Sequence, residues 1–182
     1  MRTRWLAVTL AALLCMGGCH RDQSGTAVPD LTLPQVRAGV FHLRAEHAGA
    51  VLLAFLQTVP DTADTLSRQQ VGFLLSMNHQ FSGCGLKIVI VDSSALVTRQ
   101  APTRDALINA SYDWQLDIRL LEDDDNRVAA NWGVTKVPTL VLLASGGGEV
   151  QRWQGLTGPA MLARGIAKVC GGASRSGGEP AP

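Results

Sequence analysis

Three apolar runs constrain this chain more than any other feature: Ala50–Phe55 (AVLLAF), Leu86–Val91 (LKIVIV) and Thr139–Ala144 (TLVLLA). Side chains of a strand alternate between its two faces. A strand with almost no polar alternation is apolar on both, and each face must be covered. The segments between the runs supply that cover. Thr62–Phe81 reads as a helix, with Phe73, Leu74, Met77 and Phe81 on one stripe. Pro102–Ser111 suits a short helix and Leu116–Leu121 a third strand. Asp125 is placed to cap a helix over Asn126–Trp132 that Gly133 ends. Glu149–Trp153 returns from the Thr139–Ala144 strand across Gly146-Gly147-Gly148, a hairpin by its turn chemistry. A last helix opens at Pro159 and repeats Leu162, Ile166 and Val169 on one face. Val36–Leu43 reads as a small N-terminal hairpin turning at Gly39. Strand–helix–strand units followed by a hairpin and a closing helix give an α/β sandwich around a mixed sheet.

The first residues stand apart from this pattern. Arg2 and Arg4 precede an apolar stretch, Trp5–Met16, too short to span a bilayer. Met16-Gly17-Gly18-Cys19 follows and resembles a bacterial lipobox, which implies cleavage before Cys19 and acylation of its sulfur. Cys15 is a poor rival, because Leu14 is too large for the position before the cut. The alternative is an ordinary signal peptide cut nearby, with Cys19 incidental. The expected organisation is a signal peptide over 1–18, a lipidated cysteine and polar tether over 19–28, one domain over 29–170, and a disordered Gly/Ser/Pro tail over 171–182.

With 46% hydrophobic and 17% charged residues, the domain has the material for a packed core. A formal net charge of +1 and no long Lys/Arg run argue against a nucleic-acid surface. Attachment to a membrane is therefore expected through acyl chains at Cys19, not through charge. His20 follows the lipidation site where some inner-membrane lipoproteins carry Asp. That leaves inner and outer membrane of a bacterial envelope both open, with the domain facing the periplasm.

The segment Trp132-Gly133-Val134-Thr135-Lys136-Val137-Pro138-Thr139 resembles the G-V-x-x-x-P-T element of the thioredoxin superfamily. Val28-Pro29-Asp30-Leu31-Thr32-Leu33-Pro34 is similar to the opening P-D-F-x-L of its peroxiredoxin (alkyl hydroperoxide reductase/thiol-specific antioxidant) and membrane-anchored thiol-disulfide oxidoreductase branch. Leu120-Leu121-Glu122-Asp123 and the glycine hairpin fall in the order that branch uses. The resemblance runs from about Pro29 to Val169. It implies a thioredoxin-like three-layer sandwich, a cis peptide bond before Pro138, and a groove at Val137, Pro138 and Thr139 where backbone is offered to an extended chain.

The chain departs from the family where its chemistry resides. Redox members place C-x-x-C at a helix start, where the helix dipole and free N–H groups stabilise a thiolate. Here Pro60, Asp61, Thr62 and Ala63 occupy those positions, and no cysteine lies between Cys19 and Cys84. Nearby Thr58 and Thr62 hydroxyls have no disulfide chemistry to offer. Other chemistry is weaker still. Glu122–Asp125 fails the calcium-loop pattern because Val128 stands where Gly is required. His42, His47 and His79 lack ligand-like spacing, so no metal and no cofactor is expected. Trp114, Trp132 and Trp153 read as packing residues.

Two functions follow from the resemblance. One is a membrane-tethered module without redox catalysis that holds an extended peptide or a periplasmic protein in the groove. The alternative is a thiol-disulfide oxidoreductase or antioxidant-type protein working through Cys84 or Cys170. A degenerate spacer is the bland third reading. The resembled fold brings the ends of the first and last long helices together, which implies a Cys84–Cys170 disulfide; two unrelated thiols are the competing reading.

Overall fold

The computed structural model describes residues 28–46, 49–60 and 65–173. A small antiparallel hairpin, β1 (Thr32–Pro34) and β2 (Val40–His42), leads into β3 (Val51–Leu56). Then come α1 (Leu66–Gln80), β4 (Lys87–Asp92), a short α2 (Ala95–Thr98), α3 (Arg104–Asp113), β5 (Arg119–Leu121) and α4 (Arg127–Asn131). The chain ends on β6 (Thr139–Leu143), β7 (Glu149–Gln154) and α5 (Pro159–Ala173). The main sheet has the order β5-β4-β3-β6-β7. β3, β4 and β5 run parallel, while β6 is antiparallel to β3 and β7 to β6.

All six residues of β3 are buried, and their alternation sorts them into two cores. Leu52, Ala54 and Leu56 face one core with Ile88, Ile90, Leu140 and Leu142, closed by Val71, Leu74 and Met77 of α1, Leu107 of α3, and Leu162 and Ile166 of α5. Val51, Leu53 and Phe55 face the other with Val89, Val91, Val141 and Leu143, closed by the β1–β2 hairpin and by Ala129, Trp132 and Val134. The two-sided cover required by the apolar runs is thus present, and the architecture is a helix–mixed sheet–helix sandwich. On the α5 side the fit is close: a Cβ at Gly165 would lie 2.6 Å from the Trp153 ring.

Several element ends differ from the sequence reading. α1 starts at Leu66, not Thr62, because Thr65 is its N-cap and accepts from the Arg68 N–H at 3.2 Å. Its inward face is Ser67, Gln70, Val71, Leu74 and Met77, while Phe73 and Phe81 pack only partly buried at the edge of the core. The N-terminal hairpin begins earlier than expected and turns over Gln35–Gly39, where Gly39 has φ +80°. The α4 start is capped by Asp123, whose carboxylate accepts from Val128 and Ala129 N–H at 3.1 and 2.8 Å; Asp125 takes one backbone donor, the Arg127 N–H, and pairs with the Arg127 guanidinium. The third strand shrinks to Arg119–Leu121. α5 continues past Cys170 to Ala173, so the domain runs beyond the boundary expected at 170. The α2 turn has no counterpart in the sequence reading.

Candidate functional site

The carboxyl end of β3 sits between two neighbours in fixed register. Leu56 pairs with Asp92 of β4 on one side, and Phe55 pairs with Thr139 of β6 on the other. The segment leaving β3, Gln57–Pro60, therefore emerges between Asp92 and the Val137–Pro138 loop. Both Val59–Pro60 and Val137–Pro138 are cis peptide bonds. Pro60 is exposed and Val59 and Val137 are half-buried, whereas Pro138 and Thr139 are buried. The Thr139 hydroxyl donates to the Lys136 carbonyl at 2.7 Å, and the Gly155 N–H donates to the Pro138 carbonyl at 2.8 Å, which ties this loop to the end of β7.

On the β4 side the segment is held by a buried polar cluster. The hydroxyls of Thr58 and Ser94 donate to Asp92 Oδ1 at 2.5 and 2.6 Å. Ser94 Oγ accepts in turn from the backbone N–H groups of Thr58 and Val59, each at 2.9 Å. Asp92 is 1% exposed, Thr58 0% and Ser94 1%, so nearly all of these bonds are shielded from water. A second link joins α1 to the loop before α5. The Gln70 side chain donates to the Thr157 carbonyl at 3.2 Å and accepts the Thr157 N–H at 2.7 Å. An amide has a donor and an acceptor at one end, which is what reciprocal bonding to a single backbone residue requires.

Carboxylates gather at this end. Burial pushes the Asp92 carboxyl above its ordinary range, against the pull of the Ser94 and Thr58 bonds. Burial likewise raises Asp123 against its bonds to Ala129 and Val128, and raises Glu122 against its ion pair with Arg104. Asp92 adds to both by like-charge repulsion. Among the described residues no group of three or more His, Cys, Asp or Glu is arranged to hold a metal.

The structure brings Val137, Pro138 and Thr139 to the same end of the sheet as Pro60. Asp61, Thr62, Ala63, His47 and Cys19 lie outside the described residues. Cys84 and Cys170 are elsewhere. They are joined by a disulfide with Cα atoms 5.4 Å apart, ahead of the amino end of β4. From Lys87 to Asp92 the strand covers roughly 16 Å, so this bond lies at the opposite end of the sheet. His42 accepts from or donates to Thr32 Oγ1 at 3.2 Å, and His79 stands 3.9 Å from Asp117 at the surface. Trp114, Trp132 and Trp153 are packed into the two cores. The Asp92–Thr58–Ser94 and Gln70–Thr157 links escaped the sequence reading. The former had a signal: Asp92-Ser93-Ser94 directly ends a buried apolar run, where polar side chains must find partners.

The sequence matches no family model and no curated protein. The fold, in contrast, has solved neighbours. One is a Chlorobium tepidum protein assigned as a thiol:disulfide interchange protein, DsbE, with TM-score 0.69 and 19% identity, covering 81% of this chain and 97% of that one. The thioredoxin domain of a Bacteroides vulgatus thiol-disulfide oxidoreductase superposes with TM-score 0.65 at 16% identity over 80% of this chain and 97% of its own. A secreted Mycobacterium tuberculosis disulfide oxidoreductase, homologous to Escherichia coli DsbE, gives TM-score 0.60 at 14% identity over 76% and 95%. The fold is thioredoxin-like. At such identities the likeness extends to architecture and not to chemistry.

Proposed function

We propose that this chain is an exported, lipid-anchored thioredoxin-like protein whose groove beside Val137–Pro138 holds an extended peptide or a partner protein without redox catalysis. The observation that carries this reading is the distribution of thiols. The four cysteines are at positions 15, 19, 84 and 170, and the two within the domain are bonded to each other at the end of the sheet away from Pro60 and Pro138. Thiol–disulfide catalysis needs an accessible thiolate of lowered pKa, and Pro60 to Ala63 hold none. What the groove retains is the half-buried Val59 and Val137 beside a rigid sheet, which suits an extended chain. Residues 1–19 would supply the export signal and the acyl anchor, placing the domain at the periplasmic face of a bacterial membrane.

Two measurements test this. Cys19→Ala should leave the precursor uncleaved and unlabelled by palmitate; normal labelling contradicts the anchor. Reduction of a disulfide substrate by dithiothreitol should proceed at the blank rate when the chain is added. A rate above blank that disappears in Cys84→Ser would favour the other reading, an oxidoreductase working through the half-buried Cys84–Cys170 pair.

A further inference from the structure

We propose that Asp92 is a proton-sensitive latch on the groove: ionised, it holds the Thr58–Pro60 wall in place through Thr58 and Ser94, and protonated, it lets that wall loosen and weakens peptide binding. This rests on the groove reading above and adds its regulation.

The geometry makes Asp92 the root of a short chain of bonds that ends on the wall itself. Oδ1 is the acceptor for both hydroxyls, at 2.5 and 2.6 Å, and lies 3.4 Å from the N–H of Thr58 and of Ser94. With its proton directed at Asp92, Ser94 Oγ turns its lone pairs to the Thr58 and Val59 N–H groups. Asp92 therefore reaches Val59, the residue before Pro60, through one intervening hydroxyl. It is a positioning residue and has no contact with a bound peptide in this scheme.

Bonds to an ionised carboxylate are roughly twice as strong as those between neutral groups. Protonation turns the two shortest bonds of the cluster into neutral ones and frees the Ser94 hydroxyl to rotate. Those bonds pull the Asp92 carboxyl down, so with Asp92 still buried the loosened wall holds the proton more tightly than the fastened one. Burial brings this event closer to neutral pH than for an exposed aspartate. Glu122 and Asp123, at the end of β5, are acids that the Asp92 charge raises further. The Arg104 guanidinium on α3 is engaged by Glu122 and by the carbonyls of Gln35 and Val36. On the α1 side the segment meets a hydroxyl, Ser67, which accepts from the Gln57 N–H at 3.0 Å.

The test is a pH titration of the full chain by NMR, following the side-chain carboxyl carbons and the amides of Thr58 and Val59, with affinity for a cysteine-free extended peptide measured across the same range. The two amides should move with the midpoint of Asp92, and affinity should fall by about threefold to tenfold through it, as expected when charge-assisted bonds become neutral ones. Asp92→Asn keeps an oxygen acceptor of the same shape. It should abolish the step in both amides and make affinity independent of pH. Ser94→Ala should keep the carboxyl titration but uncouple the Val59 amide from it. Amides that ignore the Asp92 midpoint, or that follow Glu122 or Asp123 instead, overturn the latch. If the amides follow Asp92 but no peptide binds at any pH, the latch on the wall stands and the groove function fails. If peptide binds with an affinity that neither pH nor Asp92→Asn changes, the groove stands and the latch fails.

Discussion

At the carboxyl ends of β3 and β4 the chain is held together by hydrogen bonds among Thr58, Asp92 and Ser94 and between Gln70 and Thr157. At the amino ends it is held by a covalent bond and by backbone in close contact: Cys84 is bonded to Cys170, and a Cβ at Gly49 would lie 2.5 Å from the Gly85 carbonyl oxygen. The α1–α5 pair spans both ends, with the Gln70 amide near one and the disulfide at the other. A disulfide acts mainly on the unfolded chain, by closing a loop, and leaves little freedom where it sits. Hydrogen bonds can yield and re-form. The end proposed to take a ligand is the one with the reversible fastening, and the thiols of this fold are used at the other end as a staple.

Breaking the staple should have the largest effect. The bond joins residues separated by 86 positions, and replacing both cysteines with serine should cost about 2–4 kcal/mol in urea unfolding. The amides of Thr58 and Val59 should hardly move. A loss of affinity for peptide as large as the loss of stability would mean that the two ends are not separable.

Gln70→Ala addresses the other fastening. It leaves the Thr157 N–H and carbonyl without their partner in a buried site, and should cost about 1–3 kcal/mol. Unlike loss of the disulfide, it should also change amide exchange in the loop beside Gly155, whose N–H bonds the Pro138 carbonyl. Stability unchanged within error would show that the link does not fasten that end.

The smallest effect is in the pH dependence of the melting temperature. Asp92, Glu122 and Asp123 all titrate above their ordinary values, so the folded chain takes up these protons more readily than the unfolded one. Stability should therefore rise as pH falls from neutral toward the ordinary carboxylate range. Glu46 acts in the opposite sense: burial pushes it up, but its bonds to Lys87 and Arg119 bring it below its ordinary value. Its contribution is complete above the ordinary glutamate range and is lost only at more acid pH, outside that window. Asp92→Asn should flatten the rise. A melting temperature that falls steadily over that interval would contradict the burial assigned to these acids.

The same division between the two ends governs how much could be read from the sequence. The apolar runs declared two covered faces, because a strand without alternation has only one kind of environment available to it. The order of elements and the sandwich followed from them. Element ends were less legible, since caps depend on which polar residue wins: Thr65 caps α1, where the helix was expected to start at Thr62, and Asp123 and not Asp125 serves α4. Thr58 lies 34 residues from Asp92 and 36 from Ser94 and meets them only through the β3–β4 register. Local pattern shows that Asp92 and Ser94, at the end of an apolar run, need partners, but not that Thr58 is one of them. The Cys84–Cys170 proximity likewise came from the arrangement of helices in the resembled fold, not from spacing.

A groove that binds an extended chain without thiol chemistry is tested most directly by titrating the purified chain with a cysteine-free extended peptide and mapping the amide shifts. Saturable changes are expected at Val59, Val137 and Thr139, with no change at Cys84 or Cys170 and the same outcome under oxidising and reducing conditions. Changes confined to the Cys84–Cys170 end, or binding that appears only when that disulfide is reduced, would contradict it.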